Sequence, residues 1–190
     1  MLHTARTTAV GRIVRRERVS CAEWLQAGLL AANLAWTTLC LGGYRAETML
    51  VTLSLTGSLL AIHFATCAMQ NRTWRELDFF GWCLIPFLAY ALCNVLFVTP
   101  VRWLGWLDWM GWANAAAVFW VVRNGVVSRS SRRFLFFTLV ALGITAVALG
   151  SYQRFVQPDW LMLGRQQVDQ FLGRASGPFG IPNSLAAYLV

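Results

Sequence analysis

Three long stretches of this chain carry no formal charge. Leu50–Met69, Phe79–Val98 and Phe134–Tyr152 contain no Asp, Glu, Arg or Lys. A helix needs about 20 mostly apolar residues to cross a bilayer core, and each stretch supplies that length. Soluble domains hold roughly a quarter charged residues. This chain holds 13% charged and 57% hydrophobic residues, so the apolar runs belong to its overall design. Helices are predicted over Glu23–Leu41 (ended by Gly42-Gly43), Thr48–Met69, Phe79–Val98, Met110–Val122 and Phe134–Tyr152. The fourth is short unless it begins within the Trp-rich stretch before it. A sixth apolar start, Ser184–Val190, reaches the end of the chain after too few residues to span a bilayer.

The expected fold is therefore all-α: a polytopic transmembrane bundle of about five full spans plus the start of a sixth. It divides into an Arg-rich tail (1–22), transmembrane helices one to five (23–152), a connecting loop (153–181) and the start of helix six (182–190), where the chain reads as truncated. The tail and first apolar run resemble a signal peptide in charge order, but the run is too long for an h-region and no small-x-small cleavage site follows it.

All 16 cationic residues are Arg. The net charge of +8 invites a nucleic-acid reading. The arginines instead sit between apolar spans, where they act as topology signals. With the N-terminus inside, eleven fall on the cytoplasmic side (Arg6, Arg12, Arg15, Arg16, Arg18, Arg72, Arg75, Arg123, Arg129, Arg132, Arg133) and five outside (Arg45, Arg102, Arg154, Arg165, Arg174). This predicts a cytoplasmic N-terminus and an extracytoplasmic 153–181 loop, with the lipid bilayer as partner and no nucleic acid.

The chemistry-bearing side chains are few. Cys21, Cys40, Cys67, Cys83 and Cys93 form no CxxC pair and read as small hydrophobes in helix packing. No metal site and no cofactor are expected. His63 lies inside a span, as a packed histidine or as a functional intramembrane group. Mid-span carboxylates are lacking, which argues against a proton or cation pump. Asp159 and Asp169 read as solvated loop acids or as a base pair. Trp103, Trp106, Trp109 and Trp112 recur every three residues, as an interfacial aromatic belt or as a platform for an incoming lipid or sugar.

The most informative stretch is Gly173–Val190, GRASGPFGIPNSLAAYLV. It is a turn-rich loop leading into a helix, stiffened by Pro178 and Pro182. Asn183 or Ser184 is placed to cap that helix. Arg174, Gly177, Asn183 and Ser184 would then form an anion site, pairing a guanidinium fork with a helix N-terminus. It suits a lipid-linked diphosphate; the alternative is a merely structural helix cap.

The same stretch, with Arg174, Gly177, Phe179, Pro182, Asn183, Ala186 and Leu189 in the pattern Arg-x-x-Gly-x-Phe-x-x-Pro-Asn-x-x-Ala-x-x-Leu, resembles the signature of the O-antigen ligase and polymerase superfamily of bacterial envelope enzymes. The lead-in Gly150-Ser151-Tyr152-Gln153-Arg154-Phe155 and the Leu41-Gly42-Gly43 close of helix one are similar too. The resemblance implies a multi-pass, metal-independent glycosyltransferase of the bacterial inner membrane, acting in lipopolysaccharide and cell-envelope biosynthesis. Such enzymes move a glycan from a polyprenyl diphosphate carrier to lipid A-core or another envelope acceptor on the outer face. Arg174 would engage the diphosphate. Family members also have about a dozen helices and a catalytic histidine in a second outside loop. Here the only histidines are His3 and His63, so the catalytic base is expected on a second chain or a missing C-terminal half, and residues 1–190 alone are expected to be inactive. Rival readings are a non-catalytic membrane scaffold or subunit, and a transporter, which the lack of internal symmetry disfavours.

Overall fold

The computed structural model describes residues 21–40, 46–69 and 79–190. Six α-helices run in order: α1 (Cys21–Leu39), α2 (Ala46–Met69), α3 (Phe79–Phe97), α4 (Arg102–Gly125), α5 (Arg129–Phe155) and α6 (Pro182–Leu189). Three short 3-10 turns lie between α5 and α6. Among the described residues no β-strand forms; a single antiparallel bridge joins Trp160 to Gln166. The Arg-rich tail, His3, the Leu41–Gly43 turn, Arg45, Arg72 and Arg75 lie outside the described residues.

All six expected helices are present. By length and composition, two are long and apolar enough to cross a membrane: Glu47–Met69 and Arg129–Phe155, with Gly81–Phe97 a shorter apolar helix. The all-α expectation is met, but of the about five full spans expected, two helices meet the length and composition of a span. The physical reason is polar content: α1 carries Glu23, Gln26 and Asn33, and α4 carries Arg102, Asp108, Asn114 and Arg123. The fourth helix does begin within the Trp-rich stretch, at Arg102. Helix α5 begins five residues earlier than its apolar run, because Ser128 caps it: the Ser128 hydroxyl accepts from Ser131 N at 3.2 Å.

Helix α1 is central, with α2 on one side and α5 on the other; α4 packs on α2, and α3 on α4. The buried stripes are unusually polar. On α2 they are Thr48, Met49, Thr52, Thr56, Leu59 and His63, and on α1 Gln26, Ala27, Leu30, Asn33 and Thr38. Both repeat at the three-to-four-residue spacing of one helix face. The apolar bulk points outward instead: Phe136, Phe137 and Ile144 on α5, and Trp82, Tyr90 and Phe97 on α3, are each more than 60% exposed. An apolar core of Leu30, Leu59, Val121, Val126 and Leu135 lies beside these polar contacts, so the bundle carries large apolar side chains both inside and outside.

A hydrogen-bonded relay joins three helices. Asn33 Nδ2 donates to Thr56 Oγ1 at 2.7 Å, and the Thr56 hydroxyl donates to Asn114 Oδ1. Thr56→Val keeps the shape of the residue but strands both partners. Interhelical side-chain bonds in bilayers contribute about 0.6–2 kcal/mol, so a loss of about 1–2 kcal/mol is expected in a detergent unfolding titration.

Two polar contacts fix the opposite end of the bundle. Glu23 Oε1 on α1 accepts from Val127 N (3.0 Å) and Ser128 N (2.7 Å), tying α1 to the α4–α5 turn. His63 is buried, edge-on to Trp120 at 5.0 Å, with Nε2 3.7 Å from Cys67 Sγ. Gln26 Oε1 occupies the space a side chain at Gly125 would need. His63 therefore sits in packing contacts. The cysteines differ from expectation: Cys40 is buried, but Cys21, Cys83 and Cys93 are exposed on the outer faces of their helices.

Candidate functional site: the loop after α5

Helix α5 ends at Phe155, and the chain turns back on itself. Leu161 N donates to Arg165 O (3.0 Å) and Gln167 N to Asp159 O (2.7 Å), closing a small hairpin. Arg165 Nη2 reaches both Glu47 carboxylate oxygens, at 3.1 and 3.0 Å, pinning the hairpin to the start of α2. Both side chains are partly exposed, so this pair adds little stability.

The strong anchor is Gln153, which is fully buried. Its Oε1 accepts from Ser176 N (2.8 Å), Ser176 Oγ (2.9 Å) and Gly177 N (2.9 Å). Its Nε2 donates to Trp160 O at 2.9 Å. Gln167 Nε2 extends the network by donating to Ser176 Oγ at 2.8 Å. One amide on the last turns of α5 thus holds the loop at two points, Trp160 and Ser176–Gly177. A chain of this kind, closed away from water, is mutually reinforcing and rigid.

Gly177, with φ of +52°, opens the 3-10 turn Gly177–Phe179, which docks on α5. A Cβ there would lie 3.0 Å from Ala146 O and 3.4 Å from Leu185 Cδ1. Gly177 is buried and its N–H is taken by Gln153, so it shapes the loop and offers nothing to a ligand. The expected helix cap also differs. Ile181 is the N-cap of α6, no side-chain cap forms, and Pro182 occupies the first turn. Ser184 N and Leu185 N both donate to Ile181 O (3.1 and 3.3 Å). Pro182 suits the helix start because it brings no N–H of its own to satisfy and its φ is already helical, and neither Asn183 nor Ser184 caps it. Asn183 is exposed and Ser184 half-buried.

What faces solvent is Arg174, whose backbone N donates to Phe171 O (3.1 Å) while its side chain is exposed. Arg154 Nη1 lies 3.5 Å from the position of a Gly173 Cβ, beside the residue preceding Arg174. Neither guanidinium has a carboxylate partner among the described residues. Two exposed arginines thus lie close to Gly173, and guanidinium groups carry the planar donor fork that matches phosphate oxygens. In the sequence Arg154 stands only as an outside arginine and as part of the Gly150–Phe155 lead-in, with no binding role assigned to it. Asp159 and Asp169 are both exposed loop acids.

The tryptophans lie on the first half of α4. Trp103, Trp106 and Trp112 are exposed, while Trp109 is half-buried and donates Nε1 to Leu88 O on α3 at 3.2 Å. Trp106 and Trp109 stack edge-to-face at 5.6 Å, and Trp112 does so with Phe87 at 5.2 Å. Three of the four rings therefore present a surface, and one is a rivet between helices.

No protein-family model, curated protein or solved structure matches the chain.

Proposed function

We propose that this chain carries the donor-binding part of an O-antigen ligase-like membrane glycosyltransferase. In this reading it spans the bacterial inner membrane with five helices and its N-terminus in the cytoplasm. It engages a polyprenyl diphosphate-linked glycan at the outer face, for transfer to lipid A-core or another envelope acceptor. The observation that carries the reading is the exposed Arg174 on a loop locked by Gln153, with Arg154 beside it. The outward apolar faces support the membrane setting: soluble monomers rarely expose apolar patches beyond a few hundred Å², whereas α3 and α5 turn large aromatic side chains outward.

Chemically, a diphosphate leaves a sugar readily once its growing charge is compensated, and fixed guanidinium groups supply that compensation. The base that activates the acceptor is a separate requirement. His63 is buried against Trp120 and Cys67 and is not placed for it. That burial favours a second reading, a non-catalytic scaffold or subunit that a partner chain completes.

Arg174→Ala tests the first reading in cells that depend on the protein. Glycan transfer is expected to fall by about 100-fold or more, the scale of one lost transition-state charge contact, at unchanged protein level. Arg174→Lys should restore only part of it. Undiminished transfer in Arg174→Ala would leave the scaffold reading standing.

A further inference from the structure

A cleft of about 300 Å³ lies between α1, α2 and α4. Its position is near the bundle end that carries the 153–181 loop: Thr37 is two residues from the end of α1, and Met49 three from the start of α2. Asn114 forms part of its wall, held by the Thr56 hydroxyl of the relay. Thr37 and Thr52 spend their hydroxyl protons on backbone carbonyls, Asn33 O (2.9 Å) and Thr48 O (3.1 Å), and so present lone pairs. Asp108 adds a carboxylate with no hydrogen-bond or ion-pair partner among the described residues. Trp112, 55% exposed, supplies an aromatic ring one helical turn from Asp108.

We propose that this cleft is a subsite for a single pyranose ring. A sugar needs hydroxyl acceptors converging from several directions, a planar carboxylate or amide for neighbouring hydroxyls, and an aromatic surface for its C–H face. Asp108, Asn114, Thr37, Thr52 and Trp112 provide that set from three helices. The volume stands at the small end of ligand pockets, which run about 300–1,000 Å³, and suits one ring better than a lipid chain. An anionic ligand is disfavoured by Asp108. Gly111 makes the space: a Cβ there would meet nothing within 4 Å. The subsite is distinct from the Arg174 surface, and its occupancy is read without any transfer reaction.

The test is saturation-transfer NMR on the full chain, held in an amine-oxide detergent because glycoside detergents would compete. The probes are methyl glycosides of glucose, galactose, N-acetylglucosamine and rhamnose. Ring protons of at least one are expected to receive saturation. Gly111→Leu, which fills open space, should weaken binding at least about tenfold, and Asp108→Asn about fivefold, the scale of one hydrogen bond. Arg174→Ala should leave it unchanged. Failure of every glycoside to bind, or equal binding in a Gly111→Leu protein with an unaltered melting curve, would overturn the proposal.

Discussion

Gln153→Leu is expected to release the loop from the bundle at a cost of about 3–5 kcal/mol, since each buried group left unpaired costs about 1–3 kcal/mol and the losses are not fully additive. Leu fills much the same volume, so the effect is one of polarity. Four partners lose their bond: Ser176 N, Ser176 Oγ, Gly177 N and Trp160 O. All four belong to the loop, so the damage is expected there before it reaches the helices. Hydrogen exchange should show 156–181 losing protection while α1 and α2 keep theirs. Gln167→Leu removes only the outer donor to Ser176 Oγ and should cost about 1 kcal/mol. If Gln153→Leu left loop exchange unchanged, the amide would not be the loop's anchor.

Gly177→Ala is expected to cost about 2–4 kcal/mol, combining a left-handed backbone penalty of about 1–2 kcal/mol with a steric one. The steric part comes from Ala146 O, a backbone atom of α5 that cannot swing aside. Gly164 provides the control. Its φ of +67° is as left-handed, yet a Cβ there meets nothing within 4 Å. Gly164→Ala should show the backbone penalty alone. The difference in unfolding free energy between the two variants isolates the close approach of the loop to α5. Equal losses would mean that the loop can lift off α5 at no cost.

The helices were legible in the sequence because uninterrupted apolar runs have few alternatives. Their ends were less so. Arg102, Trp103 and Asp108 broke the apolar pattern of α4, and Arg129–Arg133 that of α5, although both segments are helical. Hydrophobic patterning also could not show which face turns inward. The buried stripe of α2 carries Thr48, Thr52, Thr56 and His63 beside Met49 and Leu59, while Ser54 and Ser58 face outward, so neither polarity nor apolarity alone names the inward face.

In the candidate site, Arg174 and the tight turn at Gly177 could be read from residue type. The contact that fixes them could not. Gln153 and Ser176 are 23 residues apart, with nothing local to pair them. The helix cap was misassigned for a related reason: Asn183 and Ser184 have the chemistry of caps, but Pro182 before them already fits the first turn of a helix. The Asp108–Trp112 cleft needs three helices to exist and leaves no linear trace beyond the Trp repeat.

The central claim is that the Arg174 surface binds a lipid-linked diphosphate. Native mass spectrometry of the purified protein with polyprenyl diphosphate, against the same lipid as monophosphate, tests it most directly. Preferential retention of the diphosphate is expected, reduced about tenfold or more by Arg174→Ala, the scale of a fork-like guanidinium–phosphate contact. Equal retention of both lipids, or a diphosphate complex that Arg174→Ala leaves intact, would contradict it.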